Sequence, residues 1–62
     1  MYCLKVANEK TIHDKDYARI VEIVRKRFSS DQYQIGEWSD DEAMRYKYVS
    51  RKNVIVATIW KY

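Results

Sequence analysis

The residues best able to do chemistry are concentrated in the last third of the chain, where basic and aromatic side chains alternate. Residues 43–62 contain five Lys or Arg and no acid, together with Tyr46, Tyr48, Trp60 and Tyr62. Aromatic rings stack on bases while cations neutralise phosphates, so the pattern is typical of single-stranded nucleic-acid binding. Trp, Tyr and Arg also dominate the hot spots of protein interfaces. The sequence therefore favours a binding surface and leaves the partner class open.

The distribution of charge along the chain bears on the choice between a protein and a nucleic-acid partner. Residues 1–30 carry seven bases and four acids (+3), residues 31–42 carry five acids and no base (−5), and residues 43–62 add +5, which gives +3 overall. This net charge is modest for a nucleic-acid binder. We therefore rank a protein or nucleoprotein partner first, a second copy of the chain included, and nucleic acid second.

Catalysis has less support than binding. His13 is the only histidine, and a general base needs a positioned partner and a substrate pocket. We expect it in the first turn of a helix, where partly exposed imidazoles are commonly idle. A small ribonuclease-like enzyme that uses one His with Tyr and Arg or Lys is a minor alternative. Cys3 is the only cysteine, so it can form neither an internal disulfide nor a cysteine-based zinc site. We predict a quiet thiol, no metal and no cofactor.

Two charged clusters favour structural roles. Arg25, Lys26 and Arg27 fall at the expected end of a helix, where cations interact favourably with the helix dipole; phosphate contact is the alternative. The run Asp40-Asp41-Glu42 lacks the alternating oxygens and glycine turn of a calcium loop, so it indicates a solvated loop. With one glycine in the chain, a glycine-rich phosphate loop is excluded, and zinc and hydrolase signatures are absent too.

The size and composition indicate one small folded unit. A chain of 62 residues with 47% hydrophobic residues, no Pro and one Gly predicts a single compact domain over residues 1–62 rather than a disordered segment. Because the sequence offers no disulfide framework and no apolar stretch long enough for a signal peptide or membrane span, we expect a cytoplasmic protein that contacts no membrane.

The hydrophobic pattern predicts one helix and four strands. Residues 1–7, 32–38, 44–50 and 53–62 have the residue types of strands. A capping box at Thr11 and Asp14 predicts a helix that ends at Ser29. Its core-facing stripe consists of Tyr17, Ile20, Val21, Val24 and Phe28. The fold class is therefore α+β: a two-layer β-α-β-β-β sandwich in which one amphipathic helix packs on a four-stranded sheet with a C-terminal antiparallel meander.

One helix can cover only one face of such a sheet, so the other face is the predicted binding surface. A two-residue turn at Arg51-Lys52 places Tyr46 and Tyr48 under the helix; a turn one residue longer reverses this. With the shorter turn, the uncovered face holds the candidate binding residues Lys5, Trp38, Arg45, Lys47, Val54, Val56 and Trp60. We expect a small non-catalytic regulator or inhibitor, and a homodimer formed through this face or a sheet edge.

Overall fold

The computed structural model describes residues 1–28, 32–41 and 44–62. Over this part of the chain the elements are, in order, β1 (Tyr2–Val6), β2 (Ile12–Asp14), α1 (Tyr17–Arg27), β3 (Gln34–Ile35), β4 (Ser39–Asp40), β5 (Arg45–Arg51) and β6 (Val54–Lys61). The strands form one sheet in the order β2-β1-β6-β5-β3, with β4 also paired to β5. Every strand pair is antiparallel.

The predicted α+β class is confirmed, because one helix packs on one face of an antiparallel sheet. The sheet has six strands where four were predicted. The predicted strand over residues 32–38 is interrupted, and β3 and β4 both pair with the outer edge of β5. Ser39 and Asp40 therefore form a strand, although Asp40 was predicted to lie in a loop with Asp41 and Glu42; Glu42 lies outside the described residues.

The helix begins later than the capping box at Thr11 and Asp14 predicted. Ile12–Asp14 pairs with β1 instead, and Asp16 is the N-cap, its carboxylate accepting from the Ala18 N–H at 2.9 Å. The helix ends after Arg27, where the Phe28 N–H donates to the Val24 carbonyl at 3.0 Å. The predicted end at Ser29 lies outside the described residues.

The core joins one helix face to the inner face of the sheet. Its buried members are Leu4, Ile20, Val24, Phe28, Val49, Ala57 and Ile59. The predicted stripe is therefore right for Ile20, Val24 and Phe28, and Tyr17 packs against the core from its margin. Ile23 also packs there, although the stripe did not include it. A helix over so small a core covers one side of the sheet only.

The β5–β6 register differs from the expected one, and this difference decides which residues are available for binding. The turn lies at Lys52-Asn53, both with positive φ (51° and 65°), so Arg51 faces Val54. Positive φ at both central positions defines the type I′ turn, whose twist matches the flanking strands. The placement of Tyr46 and Tyr48 under the helix is consequently wrong.

A β-bulge shifts the pairing once more. Val49 pairs with Ala57 but Ser50 pairs with Ile55, so Val56 is the extra residue. The bulge lets the half-buried Val56 pack against the core. Val49 is fully buried on the inner face.

Candidate binding surface

The sheet face opposite the helix carries the aromatic side chains of β5 and β6. Residues directly opposed in antiparallel strands share a face. Tyr46 opposes Trp60, and Tyr48 opposes Thr58, with Lys5 on the far side of Thr58. We call this face the outer surface, and its strand residues are Cys3, Lys5, His13, Gln34, Ser39, Tyr46, Tyr48, Ser50, Ile55, Thr58 and Trp60.

Three aromatic side chains, Tyr46, Tyr48 and Trp60, form a patch on β5 and β6 of the outer surface. The centroids of the Tyr46 and Tyr48 rings are 5.4 Å apart in a tilted arrangement, and Trp60 lies across from Tyr46 on the next strand. Tyr48 is 44% exposed and Ile55 is 56% exposed, whereas Tyr46 and Trp60 are half-buried. Large apolar side chains grouped in this way on an open sheet face are typical of a contact surface.

The outer surface is almost uncharged. Among its strand residues given above, none is acidic, and Lys5 is the only Lys or Arg. The Lys5 ammonium donates to the main-chain carbonyl of Glu9, so its charge is held at the β1–β2 turn. Depletion of charge around an aromatic centre characterises the core of a protein interface, whereas nucleic-acid surfaces need several cations.

The predicted binding residues do not all lie on one face. Lys5 and Trp60 are on the outer surface, and Val54, 62% exposed, lies at the hairpin end. Arg45 and Lys47 lie on the helix side, since Lys47 opposes the buried Ile59. Trp38 is also on the helix side, with its ring 5.6 Å from that of Tyr17. The expected single face with these residues, Val56 included, is therefore wrong: the shifted pairing moves Arg45 and Lys47, the bulge moves Val56, and Trp38 lies outside the strands.

Lys47 is held on the helix side by contacts with aromatic side chains. It is only 9% exposed, and its ammonium lies 4.4 Å from the ring centre of Trp38 and 5.1 Å from that of Tyr17. It also donates to the Tyr17 hydroxyl at 2.9 Å. Cation–π attraction and one hydrogen bond together offset part of the cost of burying this charge.

A second polar cluster lies where β1, β2 and the end of β6 meet. The His13 Nδ1 atom is 3.1 Å from the Cys3 Sγ atom and 3.0 Å from the Tyr62 hydroxyl. The Cys3 side-chain hydrogen bond, followed by partial desolvation, raises the pKa of Tyr62 above its ordinary value. His13 is thus in a strand, not in the first turn of a helix. The proximity of Cys3 and His13 could be predicted from the sequence only if residues 7–11 were recognised as a hairpin turn.

The two charged clusters have structural partners. Arg25 donates to Glu22 at 3.0 Å within the helix, and the Arg27 Nε atom donates to Glu9 at 3.0 Å, which connects the helix end to the β1–β2 turn. Lys26 is exposed. In the acidic run, Asp40 accepts from Arg45 at 2.8 Å. These contacts account for the positions of Arg25, Arg27 and Asp40 without a ligand, and Glu42 lies outside the described residues.

The described residues contain no arrangement suited to a metal ion and no helix suited to cross a membrane. No group of three His, Cys, Asp or Glu side chains among the described residues is arranged to hold a metal ion. Within the described ranges, no helix has both the length and the apolar character needed to cross a membrane. No protein-family model, curated protein sequence or solved structure matches this chain.

Proposed function

We propose that this chain is a non-catalytic regulator or inhibitor that docks on another protein through its outer surface. The observation that carries the proposal is the uncovered aromatic patch of Tyr46, Tyr48 and Trp60, which is exposed to solvent in part and nearly free of charge. Aromatic side chains supply most of the binding free energy when they become desolvated at the centre of a protein interface. The burial of Cys3 beside His13 supports a structural role for that pair, not a nucleophilic one.

The composition of the outer surface also describes its partner. The complementary surface needs an apolar centre to cover the tyrosine and tryptophan rings. It needs no array of carboxylates, because Lys5 is the only Lys or Arg among the described strand residues of the outer surface and already bonds to Glu9. A second copy of the chain meets the same description, and self-pairing remains a prediction.

The nucleic-acid alternative has weaker support. It needs cations beside the stacking rings to neutralise phosphates. Of the three cations predicted for that role, Arg45 and Lys47 lie on the helix side, and only Lys5 shares a face with Trp60. A strand of nucleic acid lying across the outer surface would therefore meet rings with few charges between them.

Position-dependent photo-crosslinking in the cells that produce the protein tests the proposal. A photo-crosslinking amino acid in place of Tyr48 should give a discrete protein adduct, because Tyr48 is the most exposed of the three aromatic residues in the patch. The same amino acid in place of Arg19, which is exposed on the helix, should give none. Adding Trp60→Ser to the Tyr48 probe should abolish the adduct without changing the fold, which circular dichroism checks.

Other outcomes contradict the proposal or redirect it. Equal labelling from both positions, or none from position 48, would overturn docking through the outer surface. A nuclease-sensitive adduct would establish the nucleic-acid alternative in its place. An adduct of twice the chain mass would identify the protein partner as a second copy.

A further inference from the structure

The strand β2 forms one edge of the sheet. Among the described strands it pairs with β1 only, and the side chains of Ile12 and His13 are exposed. The opposite edge consists of β3 and β4, which have two residues each and pair with different parts of β5. An edge strand presents backbone N–H and C=O groups to which another strand can bind. With three consecutive paired residues, β2 is the better edge for such an addition.

The hydrogen bonds at the start of β1 determine which backbone groups of that strand point towards β2. The Met1 ammonium donates to the Tyr62 carbonyl, and the Tyr62 N–H donates to the Met1 carbonyl, both at 3.0 Å. Hydrogen bonding alternates along an antiparallel strand. The odd-numbered residues of β1 therefore bond towards β6, and the even-numbered ones, Leu4 among them, bond towards β2.

The same alternation defines the outer edge of β2. Ile12 opposes Leu4, so the backbone N–H and C=O groups of Ile12 point towards β1. Thr11 and His13 flank Ile12, and their backbone groups consequently point away from the sheet. A further strand at this edge must bond to Thr11 and His13.

We infer that β2 pairs in antiparallel orientation with β2 of a second copy of the chain, with Ile12 opposite Ile12. This two-fold pairing brings Thr11 of each copy opposite His13 of the other, so their outward backbone groups exchange hydrogen bonds. Ile12 lies on the helix side because it opposes the buried Leu4, and it is 36% exposed. The two Ile12 side chains would cover each other across the symmetry axis.

The charges beside Ile12 favour this register and this occupant. Lys10 and Asp14 lie two residues before and after Ile12, so each Lys10 is opposite Asp14 of the second copy, and opposite charges in such pairs are stabilising. The next symmetric register, centred on His13, would place the two His13 residues opposite each other and Ile12 against Asp14. The chain is thus complementary to itself in the Ile12 register. The pairing lies in the plane of the sheet, so it does not depend on the outer surface and leaves it uncovered in both copies.

Exchange of the two opposed charges tests the pairing, with analytical ultracentrifugation of the purified protein over a micromolar concentration series. The unmodified chain should be a dimer. Lys10→Asp and Asp14→Lys each place like charges opposite each other in both symmetric pairs, so each should raise the dimer dissociation constant about tenfold. An equimolar mixture of these two variants should recover the dimer, because one copy then supplies only carboxylates and the other only ammonium groups.

Further variants separate the β2 edge from other surfaces. Thr11→Pro removes an outward N–H, which an edge strand tolerates, and should give a folded monomer. Together with Lys10→Asp it tests the pairing without changing Asp14, whose carboxylate also accepts from the Asp16 N–H. Lys26→Asp, which reverses an exposed charge on the helix, should leave the dimer unchanged. Circular dichroism checks the fold of each variant.

Several results would overturn the pairing. These are a monomeric unmodified chain, an undiminished dimer in Lys10→Asp, and a mixture of the two charge variants that does not recover the dimer. Tyr48→Lys should also leave the dimer unchanged. Its dissociation by this substitution would place the interface on the outer surface and contradict pairing through β2.

Discussion

At the scale of single residues, neighbouring positions on β5 have different roles because their side chains point to opposite faces. Val49 is fully buried in the core, and Tyr48 is 44% exposed on the outer surface. Burial of an aliphatic side chain contributes to stability, whereas an exposed aromatic one on a docking surface contributes mainly to binding. The free energies of unfolding of single-residue variants therefore distinguish residues that stabilise the fold from residues that contribute mainly to binding.

We expect Tyr48→Thr to change the free energy of unfolding by less than about 1 kcal/mol, the range of a cross-strand pair. Val49→Ala should cost about 2 kcal/mol, because it leaves a cavity in a small core. Urea denaturation followed by circular dichroism measures both. An equal cost for the two substitutions would mean that the outer surface is part of the core, which contradicts its assignment as a free contact surface.

The hydrogen bond with Cys3 gives a pH dependence to the end of β6. It raises the pKa of Tyr62, so the folded state favours the neutral phenol. The resulting stabilisation is complete below the ordinary tyrosine pKa of about 10 and is lost as the pH rises through the higher folded value.

We therefore expect Cys3→Ala to lower the pKa of Tyr62 towards the ordinary value. Absorbance titration of phenolate formation, taken as the difference between each protein and its Tyr62→Phe form, isolates this group. Tyr48→Phe, in a background that keeps Cys3, is the matched control and should leave the Tyr62 titration unchanged. An identical Tyr62 titration with and without Cys3 would show that the thiol does not stabilise the neutral phenol.

At the scale of elements, the hairpin turn fixes which face each β5 residue occupies. Lys52 has a left-handed conformation with φ of 51°, which costs about 1 kcal/mol for a residue with a side chain. Lys52→Gly should raise the free energy of unfolding by about 0.5 kcal/mol, after allowance for the entropy of glycine. Arg51→Gly, inside the strand, should lower it. A destabilising effect of Lys52→Gly in thermal unfolding would contradict the type I′ turn.

The sequence was sufficient for the helix and for the hairpin strands, but not for their register. The spacing of Ile20, Val24 and Phe28 predicted the buried helix face, because that periodicity has few alternatives. The alternating side chains along β5 and β6 fit either face of the sheet equally well, so the position of the turn determines which of them face the helix. Asn53 was the available signal, since asparagine accepts positive φ more readily than most residues. The bulge at Val56 has no comparable signal.

The edge strand β2 was missed for a different reason. Thr11 and Asp14 have the spacing of a capping box, and this local pattern outweighed the short β-type segment at Ile12. In the structure, Ile12–Asp14 pairs with β1 and is therefore extended, and Asp16 caps the helix instead. The proximity of Cys3 and His13 follows from that pairing and could not be predicted without it. The sequence predicted a sheet face that the helix leaves uncovered, but the shifted register of β5 changed several of its members.

At the scale of the whole molecule, a sheet covered on one side provides little core for a chain of 62 residues. Self-pairing would bury the second side and add apolar contact area. We expect size-exclusion chromatography with light scattering to give a dimer mass at low micromolar concentration. Tyr48→Lys should give a monomer if the outer surface forms the interface, and a dimer if an edge strand does. A monomer of the unmodified chain would contradict self-pairing and leave the outer surface free for a different protein.

We propose that the outer surface is suited to a protein partner and not to a nucleic acid. The most direct test is a fluorescence titration of the Trp38→Phe variant with a mixed-sequence single-stranded oligonucleotide at low and near-physiological salt. In this variant Trp60 is the only tryptophan, so the signal reports on the outer surface and not on the helix side of the sheet. We expect no change in Trp60 emission at either salt concentration. Saturable quenching that weakens as salt increases would contradict the claim and place a nucleic acid on the outer surface.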